Sequence, residues 1–77
     1  VTTIQYDMPF GSDILIRSYD IQGRIVKTIL SGYQAAGRRS IVWDATNDIG
    51  ESVSAGMYLY LIESHDFQQT RKMLLLK

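Results

Sequence analysis

The chain has 77 residues, with eight Lys and Arg against eight Asp and Glu, and it has no cysteine. A chain of this length forms one small domain, which buries only about 60% of its unfolded surface. The balanced charge gives no preference for nucleic acid or anionic lipid. The lack of cysteine excludes disulfides, thiolate metal ligands and a thiol nucleophile.

No apolar run approaches the roughly 20 residues that a transmembrane helix needs, so no membrane insertion is expected. The sequence starts at Val1, with neither Met nor a signal-peptide pattern. We therefore expect residues 1–77 to be a single domain excised from a longer protein.

The first part of the chain predicts three strands. Thr2–Met8 alternates apolar and polar residues, and Pro9 ends the pattern. Ile14–Tyr19 and Arg24–Leu30 are the second and third strands. Between them, Asp20–Gly23 predicts a turn in which the glycine supplies a positive φ.

The middle of the chain predicts a loop, a strand and a second loop. Ser31–Gly37 is bounded by glycines and is too short to nucleate a helix. Arg39–Trp43 is the fourth strand, and its tryptophan is the kind of residue around which a small sandwich packs. Asp44–Ser52 is rich in turn formers, and Val53–Ala55 is expected to be a short edge strand.

The end of the chain, Gly56–Lys77, predicts a β-hairpin. Its apolar runs Met57–Ile62 and Met73–Leu76 flank a polar corner at Glu63–Asp66. No segment shows a helical stripe over ten or more residues. Short strands separated by turn signals every 8–12 residues predict an all-β sandwich or barrel.

A catalytic site is not expected at the hairpin corner. Ser64, His65 and Asp66 supply the residue types of nucleophilic catalysis. An exposed tight turn has no cleft that excludes water, so an ordinary solvated turn is favoured and no catalytic residue is predicted.

Calcium binding is considered for the loop with Asp44, Asn47, Asp48 and Glu51, because calcium prefers oxygen ligands. The EF-hand pattern fails: Ile49 stands where glycine is needed, and no glutamate follows at the twelfth position. Hydrogen bonds between the side chains of Asp44 and Asn47 and their own backbone explain these residues better. No metal and no cofactor is predicted.

Aromatic and basic residues give two further alternatives. The aromatic residues that could form a sugar-stacking platform are Tyr6, Tyr19, Tyr33, Trp43, Tyr58 and Tyr60. Alternating tyrosines in strands are more often core residues with a hydroxyl at the rim. The pairs Arg38-Arg39 and Arg71-Lys72 are typical of charges that protect strand ends from aggregation, and no nucleic-acid partner is predicted.

A series of short motifs runs through the whole chain: Thr3–Tyr6, Tyr19–Val26, Gly37, Trp43-Asp44, Asn47, Gly50, Ala55–Tyr58 and Lys72–Lys77. In this order, ending at the last residue, the series resembles the type A C-terminal sorting domain of bacterial type IX secretion cargo. It is also similar to the immunoglobulin-like domain named after the flagellar hook-capping protein.

The resemblance implies an immunoglobulin-like β-sandwich of about seven short, mostly antiparallel strands that closes with a C-terminal hairpin. It implies a non-enzymatic domain that directs a larger cargo across the outer membrane. The implied protein partners are the outer-membrane translocon, its sorting protease and an upstream cargo domain in the same chain. The implied localisation is secreted or cell-surface, by way of the periplasm.

The residues that the resemblance singles out fall into two sets. The recognition candidates are Gly56, Met57, Tyr58, Lys72, Met73, Leu74, Leu75, Leu76 and Lys77. The core and turn candidates are Tyr19, Asp20, Gly23, Trp43, Asp44, Asn47 and Gly50.

The terminal strand has two physical explanations. An exposed strand can be captured by β-augmentation, in which main-chain bonds give affinity and alternate side chains give specificity. Alternatively, Met73 and Leu75 complete the core, and only Leu74, Leu76 and the lysines face outward. Two other functions stay open: a structural immunoglobulin-like domain that packs on an upstream enzyme, and a carbohydrate-binding module.

Three residues depart from the family pattern. Ala45 replaces a usual glycine, so a less strained turn is expected there. Ser18 replaces a larger apolar residue, which predicts local underpacking. His65 replaces a glycine, and we expect it to tolerate a positive φ at some cost.

Overall fold

Six antiparallel strands form two sheets in the computed structural model, which describes residues 2–65 and 67–76. The strands are β1 (Thr2–Met8), β2 (Ser12–Tyr19), β3 (Ile25–Gln34), β4 (Gly37–Trp43), β5 (Gly56–Ser64) and β6 (Gln68–Leu75). Sheet A pairs β1 with β4, and sheet B has the order β3-β2-β5-β6. The predicted all-β sandwich is confirmed. No described segment is a helix long and apolar enough to cross a membrane.

The core lies between the two sheets and follows from the period-two alternation of side chains along each strand. On β1, for example, Ile4, Tyr6 and Met8 are buried while the residues between them are exposed. The other buried apolar residues are Ile14, Ile16, Trp43, Ala45, Tyr58, Tyr60, Ile62, Met73 and Leu75. Both sheets therefore contribute one apolar face to a single core.

Trp43, the last residue of β4, lies at the centre of this core. Its side chain is fully buried, and its ring meets that of Tyr58 edge to face, with centroids 5.4 Å apart. The indole N–H donates to the carbonyl of Thr46 at 2.9 Å, so the buried polar atom is satisfied. Trp43 thus joins sheet A, sheet B and the loop that follows it.

Two predicted elements are wrong. Most of the predicted loop Ser31–Gly37 is strand, because β3 continues to Gln34 and its last residues pair with the start of β2. The predicted edge strand Val53–Ala55 is not formed. The nearby pairing is one isolated bridge between Thr46 and Ser52. The structure accordingly has six strands in its described residues rather than about seven.

The three departures from the family pattern have different outcomes. Ala45 has a φ of 64°, so the expectation of a less strained turn is wrong: its backbone lies in the left-handed region, which glycine tolerates better. Ser18 is fully buried between the sheets, and its hydroxyl has no hydrogen-bond partner. The positive φ expected at His65 is not found, since Ala45 alone among the described non-glycine residues has one.

Candidate functional site

The terminal hairpin places β6 at one edge of sheet B. β6 pairs with β5 from Gln68 opposite Glu63 to Leu75 opposite Gly56. Within residues 2–65 and 67–76, no main-chain hydrogen bond outside the strand pairs involves a residue of β6. An edge of this kind presents unpaired N–H and C=O groups to any further strand.

The two faces of the chain differ in exposure at the C-terminal end of β6 and just beyond it. Met73 and Leu75 point into the core, and Leu75 is only 1% exposed. Leu74 and Leu76 point outward and are 59% and 73% exposed. The core explanation of this strand is therefore correct for one face, and Lys72 is exposed as expected. The candidate Lys77 lies outside the described residues.

The three recognition candidates at the start of β5 have three different environments. Gly56 has a φ of 151°, in a region that L side chains rarely adopt, so its role here is conformational. Met57 is exposed and lies directly opposite Leu74. Tyr58 is buried, and its hydroxyl donates to the carbonyl of Ser54 at 2.7 Å. Only Met57 among them offers its side chain to a partner.

The outer face of sheet B carries a group of apolar residues beside its polar residues, which include Glu63, Thr70 and Lys72. Strand alternation places apolar residues of β2, β5 and β6 on this face: Leu15, Tyr19, Met57, Leu59, Leu61 and Leu74. Arg17 stands among them, opposite Leu61, and its Nε is buried without a hydrogen-bond partner. Sequence reasoning missed this face. Its signal was the unbroken apolar run at Met57–Ile62, which gives both faces of β5 apolar residues.

The turn at Asp20 is built by hydrogen bonds to one carboxylate. Asp20 Oδ1 accepts from the N–H groups of Gln22 and Arg24, each at 2.9 Å, and Oδ2 accepts from Arg24 Nε. The bond from the Arg24 backbone is the main reason why the pKa of Asp20 lies below its ordinary value. Gly23, with a φ of 86°, closes the turn. Tyr19 lies just before it and is half-buried on the outer face.

The loop that was considered for calcium uses its oxygens within the protein. Asp44 Oδ1 accepts from the N–H and hydroxyl of Thr46, and the hydroxyl bond is the main reason why the pKa of Asp44 is lowered. Asn47 Oδ1 accepts from the N–H groups of Ile49 and Glu51. The backbone explanation of Asp44 and Asn47 is confirmed, and Gly50, with a φ of 85°, completes the turn.

The same loop lies along the edge of β3. Asp48 N–H donates to the carbonyl of Val26 at 3.2 Å, and Asp48 Oδ1 accepts from Thr28 N–H at 2.9 Å. Lys27 Nζ reaches the hydroxyl of Thr46 at 3.2 Å. These contacts give the loop a structural role, because they cover edge groups that would otherwise be unpaired.

The remaining candidates are spread over the fold. The proposed sugar platform is not assembled, because Tyr6, Trp43, Tyr58 and Tyr60 are buried in the core. His65 is exposed at the corner of the hairpin, beside Ser64. The third residue of that predicted group, Asp66, lies outside the described residues.

Comparisons with known proteins give one family and one similar structure. Residues 2–66 match a family model described as the FlgD Ig-like domain. The fold is similar to the crystal structure of FLGD from P. aeruginosa, with a TM-score of 0.75 and 23% sequence identity. That match covers 95% of this chain and 58% of the FLGD chain. No curated protein sequence matches the chain. These findings confirm the immunoglobulin-like part of the resemblance and give no support to the type IX sorting part.

Proposed function

Because the chain belongs to the family of FlgD Ig-like domains, we propose that it is a structural, non-catalytic module that packs on a neighbouring domain of its own longer polypeptide. The observation that carries this proposal is the group of apolar residues on the outer face of sheet B. A sandwich that is free in solution keeps polar side chains on its outer faces. A second protein surface on this face would remove its leucines and Met57 from water.

The size of the face suits an interface between domains. Four strands about 4.8 Å apart, with eight residues that rise about 3.3 Å each, span on the order of 500 Å². Interfaces between domains of one chain bury about 600–1,500 Å² in total, shared between the two sides. One face of sheet B is therefore enough for such a contact.

Arg17 indicates the chemistry of the covering surface. Its Nε is buried on the outer face without a partner, and an unpaired buried donor costs about 1–3 kcal/mol. A carboxylate on the covering domain would satisfy the guanidinium with charge-assisted hydrogen bonds. A neighbour in the same polypeptide is favoured because the similar FLGD chain extends well beyond the matched region.

Site-specific photo-cross-linking in the full-length polypeptide tests this proposal. A photoreactive residue at Leu59, on the outer face of sheet B, should cross-link within the polypeptide to a surface that contains a carboxylate. The matched control is Val42, which is exposed on the outer face of sheet A. Equal cross-linking at both positions, or cross-links from Leu59 only between separate molecules, would contradict the proposal.

A second candidate function is that of a sorting signal for type IX secretion. The free edge of β6 favours this function. Leu74 and Leu76 point outward beside an edge that can accept another strand. On this proposal the outer-membrane translocon captures β6 and the associated protease recognises the domain. The cargo would then reach the cell surface or the medium by way of the periplasm.

A reporter fusion separates the two candidates. Residues 1–77 are fused to the C-terminus of a periplasmic reporter in a bacterium with type IX secretion. The sorting hypothesis predicts export of this fusion and retention of a Leu74→Ser, Leu76→Ser double variant, which keeps the core residues Met73 and Leu75. The control is Val42→Ser, which should be exported normally. Equal behaviour of all three fusions excludes recognition through the outward face of β6.

A further inference from the structure

A cleft with an excess of positive charge lies where β6 faces β1 and β4. Its volume is about 440 Å³, and three of its lining residues are arginines: Arg38, Arg39 and Arg71. Asp7 is the one acidic residue in the lining, so the formal charge is 3 − 1 = +2. In the sequence Arg38 and Arg39 are adjacent and Arg71 is more than 30 positions away, but the fold assembles all three around one concavity.

Strand register explains the assembly. Arg38 lies opposite Asp7 and Arg39 opposite Tyr6 in the β1–β4 pair. Arg71 lies on the core-side face of β6, two residues before Met73, and pairs with Tyr60 of β5. Arg71 is exposed, whereas Met73, two residues further along the same face, is buried. The space beside Arg71 is the cleft.

The arginines of the cleft are poorly neutralised by the protein itself. The Arg38–Asp7 pair is 4.0 Å apart, and both side chains are more than 80% exposed, so solvent weakens this contact. No carboxylate within residues 2–65 and 67–76 lies within 4.0 Å of Arg39 or Arg71. Arg39 Nε donates to the carbonyl of Ala35 at 3.2 Å, which leaves its terminal nitrogens available for another acceptor.

We propose that this cleft and the free edge of β6 together bind an extended acidic peptide segment. The segment adds a strand beside β6, and its carboxylates, on alternate residues, face Arg71 and the arginines of β4. Main-chain bonds to the edge supply affinity, and the guanidinium groups select carboxylates by paired hydrogen bonds. This surface lies on the core side and edge of sheet B, so the proposal is independent of the docking of its outer face.

A peptide suits the site better than a nucleic acid. The chain as a whole has no net charge, and base stacking requires exposed aromatic faces in the groove. The aromatic residue that lines the cleft, Tyr6, is buried. Burial raises the pKa of the Tyr6 hydroxyl, against the opposing influence of Arg39. The available edge of β6 is a feature that only a polypeptide strand can use fully.

Binding of a labelled seven-residue peptide, Glu-Thr-Glu-Thr-Glu-Thr-Glu, tests the proposal by fluorescence anisotropy in low salt. The matched probe has glutamine in place of every glutamate. We expect the acidic peptide to bind and the glutamine peptide to bind at least tenfold more weakly, as expected for the loss of hydrogen bonds to charged groups. In amide exchange, the peptide should slow exchange along β6.

Two variants of neighbouring residues on β6 give the decisive comparison. Arg71→Gln, on the cleft side, should weaken binding of the acidic peptide about tenfold. Lys72→Gln removes the same charge from the opposite face of the strand and should change binding less than about threefold. Circular dichroism should show that both variants are folded, since both side chains are exposed.

Three results would overturn the proposal. The first is no binding of the acidic peptide at millimolar concentration. The second is an equal loss in Arg71→Gln and Lys72→Gln, which would indicate a general charge effect. The third is full displacement of the peptide by inorganic phosphate without any change in β6 exchange, which would indicate a simple anion site.

Discussion

The two edge strands of sheet B, β3 and β6, differ in whether other residues cover them. At β3, the loop Asp44–Ser52 lies along the strand and forms main-chain and side-chain hydrogen bonds to Val26 and Thr28. At β6, the described residues form no such cover. Open strand edges promote aggregation, and proteins usually block them. A sheet that covers one edge with a dedicated loop and leaves the other open has an asymmetry that suits capture of a further strand at β6.

The largest expected effect comes from removing the anchor of the covered edge. Trp43→Ala deletes a fully buried side chain together with the indole N–H that holds Thr46. Such substitutions cost about 3–5 kcal/mol, which is a large part of the stability of a domain this small. Denaturant unfolding should show a mostly unfolded variant at 25 °C. A variant with nearly unchanged stability would mean that Trp43 does not join the sheets and the loop.

The open edge offers a comparison within one strand. Leu75→Ala should lower the free energy of unfolding by about 2–5 kcal/mol, because its side chain is buried. Leu74→Ala should change it by less than about 0.5 kcal/mol, because its side chain is exposed. Urea unfolding of the two variants measures the difference. Similar losses would show that the outward face of β6 is already packed against something in the isolated chain.

Sequence patterns correctly predicted the strands that show an apolar face within their own segment. β1 has the predicted bounds, Thr2–Met8, and the closing hairpin has its two strands and its buried Met73 and Leu75. Each of these strands has a clear apolar face, which the core then covers.

Long-range pairing decided the elements that sequence patterns predicted wrongly. The end of β3 contains Ser31 and Gly32, which have low strand propensity, yet they pair with Leu15 and Ile14 of β2. The N–H of Val53 donates a hydrogen bond to the carbonyl of Ala45, and Val53 does not join a strand. No local signal distinguishes these outcomes.

The candidate surfaces were predictable only in part. The outward positions of β6 follow from the alternation of side chains along a strand. Because Met73 and Leu75 point into the core, Leu74 must point to the other face. The acidic-peptide cleft depends on bringing Arg71 near Arg38 and Arg39, more than 30 positions away in the sequence. That proximity results from the packing of sheet A against sheet B, and the sequence alone contains no sign of it.

A smaller effect is expected when the cover of the β3 edge is loosened. Asp48→Ala removes the acceptor for Thr28 N–H and should cost about 1 kcal/mol. Amide exchange at Thr28 should become several-fold faster, while exchange along β6 stays unchanged. Asp48→Asn is the control, because its side-chain oxygen can still accept this bond. Equal exchange rates at Thr28 in the wild type and in Asp48→Ala would show that the loop does not protect the edge.

Acid should weaken the covered edge by the smallest amount and leave the open edge unaffected. Hydrogen bonds from Thr46 lower the pKa of Asp44 below its ordinary value of 3.8. A carboxyl whose pKa is lowered in the folded state stabilises the fold above pH 3.8, and this contribution is lost as the pH falls through the lower folded value. The stability difference between the wild type and Asp44→Asn should therefore be present at pH 6 and shrink towards pH 3. Unfolding curves at the two pH values measure this stability difference, and a constant difference would show that ionisation of Asp44 does not support the loop.

Because β6 contains no carboxylate, amide exchange near Thr28 should respond to acid before exchange along β6 does.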